Sequence, residues 1–236
     1  MDAIGAALGL GPDDLVAVGL SLRVAAVATL ASLPLAILTA LALARGRFPG
    51  KTLLDGLVHL PLVLPPVVTG YLLLTAFGRR GLFGPALESC CGLTFSFRWT
   101  GAALAAAVMG FPLMVRAIRL SIEAVDRKLE DAAETLGASR IGAFFAVTLP
   151  LSLPGVLAGA TLGFAKALGE FGATITFVSS IPGETRTLPA AIYALTQTPG
   201  GDAAAGRLVL VAVALSLAAL VASELLARRL SSRIAA

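Results

Sequence analysis

The sequence predicts an all-α, polytopic membrane protein with about five transmembrane helices and a helix–turn–helix in its longest basic loop. Three observations predict it. Hydrophobic residues make up 57% of the 236, charged residues only 14%, and the mean hydropathy is +0.91. Charge-free runs of bilayer length recur along the chain, and Lys and Arg gather at alternate ends of them. Soluble domains carry about 25% charged residues, so 18 Lys+Arg and 14 Asp+Glu are too few to coat a soluble globule of this length. A bilayer removes that requirement, and the high hydropathy excludes disorder.

The charge-free runs are Val24–Ala44 (21 residues), Gly56–Gly78 (23), Trp99–Val115 (17), Ile141–Ala165 (25) and Leu208–Ser223 (16). A spanning helix needs about 20 residues, in the range 17–25. The third run reaches that length more comfortably if Arg116 snorkels, and the fifth if Glu224 lies at the headgroups so that the run extends to Ala227. The N-terminus is acidic (Asp2, Asp13, Asp14) and lacks the basic region of a cleavable signal, so the first helix is expected to be retained.

Orientation follows from Lys and Arg in the short loops. Arg45, Arg47, Lys51, Arg116, Arg119, Arg127, Lys128, Arg140, Arg228, Arg229 and Arg233 fall on one side. Arg79, Arg80, Arg98, Arg186 and Arg207 fall on the other. The richer side is expected to be cytoplasmic, which puts the N-terminus outside and the C-terminus in the cytoplasm. There is no convincing repeat and no linker, so residues 1–236 read as one membrane domain with a core of about 15–227.

The same inventory limits function. The net charge of +4 comes from residues at span ends rather than from a stripe, so no nucleic-acid partner is expected. Adjacent Cys90 and Cys91 and a single His59 provide neither a disulfide framework nor a metal or haem site. They also leave a membrane-embedded enzyme as the weaker alternative, and no cofactor is expected on this chain. Gly46-Arg-Phe-Pro-Gly50-Lys51-Thr52 mimics a nucleotide-binding loop but has three residues between its glycines where four are required. Nucleotide energy therefore has to come from another subunit.

Three segments break the bland pattern. The second span contains Pro61, Pro65, Pro66 and Gly70; each interior proline frees a carbonyl that a bilayer tolerates only beside protein or a water-lined cavity. That favours a pathway-lining or hinging helix over a packing kink. In the fourth span, Gly155, Gly159 and Gly163 form a small-residue face suited to close helix packing, within the chain or across a dimer. Beyond it, Lys166 and Glu170 lie four residues apart, either as a structural ion pair or as part of a conduit with Gly169, Gly172 and Thr174.

The stretch 127–155 is the most informative. Leu129, Ala132, Ala133 and Leu136 fall at i, i+3, i+4 and i+7 on one face, with Glu130, Asp131 and Glu134 off it. Gly137 allows a helix stop, and Ser139 can cap a second short helix that runs to Pro150. Alanines anchor poorly in lipid, so this face is expected to sit in a partner's groove. The region Ser179–Arg207 reads either as a loop or as a short surface helix near Leu188–Leu195 that meets an external partner.

These residues resemble the membrane subunits of binding-protein-dependent ABC importers, whose cytoplasmic loop carries E-A-A-x3-G-x9-I-x-L-P. Here the pattern is Asp131-Ala132-Ala133, Gly137, Val147-Thr148-Leu149-Pro150, with Asp for Glu and Val for Ile. FPGKTLLDGLVHLPLVLPPVVTGYLLL, MGFPLMVRAIRL, ALGEFGATITFVS, IPGETRTLPAAIY and QTPGG extend the likeness, from about Leu15 to Leu226, to the molybdate permeases within that family. The resemblance implies the type I importer fold and location in the cytoplasmic (inner) membrane. It implies a second copy of the chain, two cytoplasmic ATPase subunits that bind ATP, and an external oxyanion-binding protein. It further implies that residues 127–150 form a coupling loop, with Glu130 through Gly137, Leu149 and Pro150 at the ATPase. Sulfate, thiosulfate or tungstate is the alternative cargo.

Overall fold

The computed structural model describes residues 9–234, so Asp2 lies outside them. Among the described residues the regular structure is entirely helical. In order the helices are α1 (Pro12–Arg45), α2 (Lys51–Val63), α3 (Pro66–Phe77), α4 (Gly84–Cys91), α5 (Trp99–Ala124) and α6 (Arg127–Thr135). After these come α7 (Arg140–Ala143), a π-helical turn (Phe144–Thr148), α8 (Leu149–Leu168), α9 (Gly172–Val178), α10 (Leu188–Thr196) and α11 (Asp202–Ile234).

Among the described residues four helical stretches are long and apolar enough to cross a membrane: Pro12–Arg45, Trp99–Ala124, Arg140–Leu168 and Asp202–Ala222. The second predicted span is not one rod. It is α2 and α3, which meet at a bend of 115°. Pro65 and Pro66 cause the break: neither has an amide hydrogen, and Leu64 before them takes an extended backbone. Pro61 is tolerated inside α2, whereas Pro66 occupies the first turn of α3, where its missing donor costs nothing.

The first and third spans overrun their charge-free runs, and two of the charges beyond those runs find partners. The Arg23 guanidinium lies 3.8 Å above the Trp99 ring centre. Arg119 bridges Asp55 of α2 at 3.1 Å and Glu123 at 2.8 Å. The fourth span starts at Arg140, one residue before its charge-free run. The short helix after Ser139 does not stop at Pro150 but runs through a π-turn into α8. There the Leu149 amide donates to the Phe144 carbonyl five residues back, a wider loop that accommodates the ring of Pro150.

Helix α5 is central, with α1 and α8 packed along it. Its buried side chains Ala102, Ala105, Ala106, Met109, Met114, Val115, Ile118 and Ile122 serve two cores. One, at the far end from α6, includes Val24, Leu168 and Phe177; the other, nearer α6, includes Leu43, Val58 and Val156. The expected glycine face packs within the chain. A β-carbon at Gly163 would lie 2.6 Å from Met114 Cγ, one at Gly159 would lie 3.0 Å from Ile118 Cγ1, and one at Gly155 would overlap the Ser121 side chain. From the facing helix, a β-carbon at Gly110 would come within 3.2 Å of the Gly163 carbonyl oxygen.

The stretch 188–196 is the short helix of the two alternatives, not the loop, and one face of it is buried. Leu188 and Ala191 are buried with Ala17 and Leu208, and the Leu188 amide donates to Ser21 Oγ at 2.6 Å. At the same end, Phe77, Phe83 and Phe95 cluster beneath α4. The exposed thiols of α4 lie 2.9 Å apart, and the Cys90 hydrogen bond raises Cys91 above the ordinary thiol range.

Gly155→Ala should destabilise the detergent-solubilised protein by about 1–3 kcal/mol, the range for overpacking a close contact. Thermal unfolding checks this, and Ser121→Gly in the same chain should recover most of the loss. Equal melting of Gly155→Ala and the parent would contradict the tight α5–α8 seam.

Candidate functional site

Two features stand out from the bundle: the hairpin formed by α6 and α7, and the crossing of α3 with α9. The hairpin folds as its residues dictate. Asp126 caps α6 by accepting a hydrogen bond from the Lys128 amide at 3.0 Å. At the other end Gly137 takes φ +95°, the Gly137 amide bonds the Glu134 carbonyl, and the Ala138 amide bonds that of Ala133 at 3.0 Å. This double closure through a left-handed glycine is a Schellman ending. Ser139 Oγ then accepts from the Gly142 amide at 3.1 Å and starts α7.

Helix α6 contributes no buried side chain. Asp131, Ala132 and Gly137 are exposed and Ala133 is half-buried. Leu136 is 90% exposed, with Leu129, Ile141 and Phe145 also open. An apolar surface of this kind on a polar hairpin is suited to a protein partner. Glu130 is different: its Oε1 accepts from Arg45 Nη2 at 2.9 Å and from Thr148 Oγ1 at 2.7 Å. Leu149 packs on the nearby core, while Pro150 is exposed beside the π-turn. Arg45 and Thr148 were invisible to sequence reasoning as site residues. Arg45 signalled only the end of a span, and Thr148 is an unspecified position in the loop motif.

The crossing brings together residues more than a hundred positions apart. A β-carbon at Gly70 would lie 2.5 Å from the Ala173 carbonyl oxygen, and one at Gly172 would lie 2.7 Å from Pro66 Cβ. Only glycine allows the two short helices to touch backbone to backbone. Behind them Lys166 Nζ meets Glu170 Oε2 at 2.6 Å, and Glu170 Oε1 accepts from the Ala173 amide at 2.9 Å. The Glu170 side chain is 1% exposed and that of Lys166 30%. A bare carboxylate buried this deeply would cost several kcal/mol. The ammonium, the amide and the amino end of α9 offset that cost.

Other predicted pathway residues divide by exposure. Pro65, Pro66 and Gly169 are exposed, Pro61 and Gly172 half-buried, and Gly70, Glu170 and Thr174 buried. The Thr174 hydroxyl donates to the Phe171 carbonyl at 2.8 Å. Lys166 and Glu170 form an ion pair at the break between α8 and α9.

Residues 32–236 match the model of the family described as binding-protein-dependent transport system inner membrane component. The chain belongs to this family. It is 62% identical over 212 residues to the molybdenum transport system permease protein ModB of Escherichia coli (strain K12), covering 90% of this chain and 93% of that one. It is 58% identical over 221 residues to ModB of Haemophilus influenzae, covering 94% and 96%. The sulfate transport system permease protein CysT of Salmonella typhimurium is 36% identical over 186 residues, covering 79% and 67%. Among solved structures, a bacterial ABC transporter involved in import of the acidic polysaccharide alginate superposes with a TM-score of 0.74 at 18% identity, covering 95% of this chain and 82% of that one. The MetNI methionine ABC transporter gives 0.67 at 14%, covering 92% and 94%. The chain is thus a membrane-embedded permease subunit of an ABC importer, not an enzyme, with the type I importer fold.

Lys166→Met should cost about 2 kcal/mol, the scale of one hydrogen bond to a charged group. Lys166→Met with Glu170→Gln should cost less than Lys166→Met alone, because a neutral amide still accepts from Ala173 and needs no counter-ion. Thermal unfolding of both variants in detergent checks the order; the reverse order would contradict a structural pair.

Proposed function

We propose that the chain forms the translocation unit through which an ATP-driven importer carries molybdate, or a similar tetrahedral oxyanion, into the cytoplasm. The observation that carries this reading is the hairpin: a capped helix with no buried side chain, exposing Leu129, Ala132 and Leu136 where a partner can seat. Residues 127–150 are then the coupling loop, and Ala132 and Ala133 enter a groove on a cytoplasmic ATPase. Each of two ATPase subunits meets one of two permease copies, and ATP binds the ATPases.

The cargo follows from the two ModB relatives, named for molybdenum transport, at 62% and 58% identity. Its charge explains the need for ATP. The cell interior is electrically negative, so each negative charge moved inward costs about 2.3 kcal/mol per 100 mV, and a dianion costs about 4–5 kcal/mol before any concentration gradient. A passive pore would accumulate little. Alternating access driven by ATP and biased by an external binding protein meets the requirement.

The N-terminus faces outside and the hairpin and C-terminus face the cytoplasm, in keeping with the Lys and Arg distribution. The exposed apolar side chains of α2 and α3, including Leu57, Val63, Val67 and Tyr71, supply a face for the second copy. In this arrangement Pro61, Pro65, Pro66, Gly70, Gly169, Gly172 and Thr174 lie along or beside the gate, with Lys166 and Glu170 bracing it. Sulfate is the second reading, favoured by the 36% identity to CysT.

Uptake of radiolabelled molybdate into vesicles holding the permease, its ATPase and its binding protein tests both readings. ATP-dependent uptake that excess unlabelled sulfate fails to compete away is expected. Ala133→Trp should reduce that uptake about tenfold or more while membrane insertion is unchanged, since one large side chain in a close-packed groove costs about 1–3 kcal/mol. Normal uptake and normal cargo-stimulated ATP hydrolysis in Ala133→Trp would remove the docking assignment.

A further inference from the structure

We propose that Arg45, Glu130 and Thr148 form a latch that makes α6 move as one body with the bundle, so that Glu130 is a positioning residue rather than part of the partner's docking surface. The inference rests on the reading that the hairpin docks an ATPase. One carboxylate oxygen of Glu130 receives both the Arg45 guanidinium and the Thr148 hydroxyl. The same Arg45 Nη2 donates to the Val125 carbonyl, the residue that ends α5, at 2.8 Å. Arg45 is the last residue of α1, and Thr148 is 2% exposed in the π-turn that opens into α8. The hairpin helix is thus tied at one point to the ends of three membrane-crossing helices.

The need for such a tie is mechanical. With no buried side chain of its own, α6 would otherwise be held mainly through the turns at Asp126 and Gly137. Force applied to it would bend those turns before it moved the spans. The latch is also placed for strength. Arg45 sits in the last turn of α1 and Glu130 in the first turn of α6, so each charge faces the favourable end of its helix dipole. Their side chains are 16% and 20% exposed, drier than an ordinary surface ion pair. Neither α3 nor α9 contributes to the latch.

The test uses the complete complex of permease, ATPase and binding protein in proteoliposomes, with molybdate as cargo. Glu130→Gln, which keeps the side-chain shape, and Arg45→Ala should each retain the ATPase at the parent's stoichiometry on co-purification. Each should lower molybdate imported per ATP hydrolysed about tenfold, a size that changes along a coupling network reach. Arg45→Ala with Glu130→Gln should be no worse than the poorer single variant, because the two act through one interaction. Thr148→Val should give a smaller loss. Losing the ATPase on purification of Glu130→Gln, multiplicative losses in the double variant, or unchanged import per ATP would each overturn the proposal. If the parent permease itself fails to retain an ATPase, it is the docking reading that falls.

Discussion

The close seam between α5 and α8 is the constraint on which the rest of the structure depends. The hairpin leaves the carboxyl end of α5 and returns through the amino end of α8. The position of both its roots is therefore set by how near these two helices lie. In lipid, apolar side chains gain nothing by leaving one hydrocarbon for another, so helix association relies on packing contacts and close backbone approach. Gly110, Gly155, Gly159 and Gly163 supply that approach against Met114, Ile118 and Ser121. At its other end the same α8 leads through Gly169 into α9, so one seam positions both the hairpin and the crossing.

The seam is continuous, but the chain breaks beside it in two places. A membrane-crossing helix interrupted at Leu64–Pro66 exposes carbonyls that lipid cannot satisfy. Placing α9 against α3, glycine to backbone, covers part of that interruption with protein. The second interruption, between α8 and α9, is closed by Glu170 as it accepts from the Ala173 amide and pairs with Lys166. The two breaks thus face one another, each supplying what the other lacks. Helix α9 also buries Ala173, Phe177 and Val178 in the core served by α5, so the crossing is anchored to the same body as the seam.

Much of this was legible in the sequence, for physical reasons that can be named. The Gly137 stop and the Ser139 cap were readable because both act through local backbone geometry. The glycine face of α8 was readable because its period is that of a helix. The proline-rich second span announced an irregularity, but its 115° bend was not predictable, since consecutive prolines establish where a helix breaks and not the angle at which it resumes. The true lengths of α1 and α5 were hidden because a charge ends a charge-free run whether or not it ends the helix. Arg23 over Trp99 and Arg119 beside Asp55 are long-range solutions that no local pattern reveals. Continuity through Pro150 was hidden for a related reason: the rule that proline ends a helix assumes α-geometry, and a π-turn relaxes it.

The hairpin illustrates why a motif and its geometry have to be read separately. Glu130, Asp131, Ala132 and Ala133 are consecutive, and the family resemblance puts all four in one docking segment. On a helix, successive residues point about 100° apart, so four in a row cannot share one face. Asp131 and Ala132 face outward, whereas Glu130 turns inward to Arg45 and Thr148. On the proposed function, one short stretch does two jobs that require opposite directions: offering a surface to another protein and holding that surface to its own bundle. A lever needs both, because a surface without an anchor yields under load and an anchor without a surface receives none.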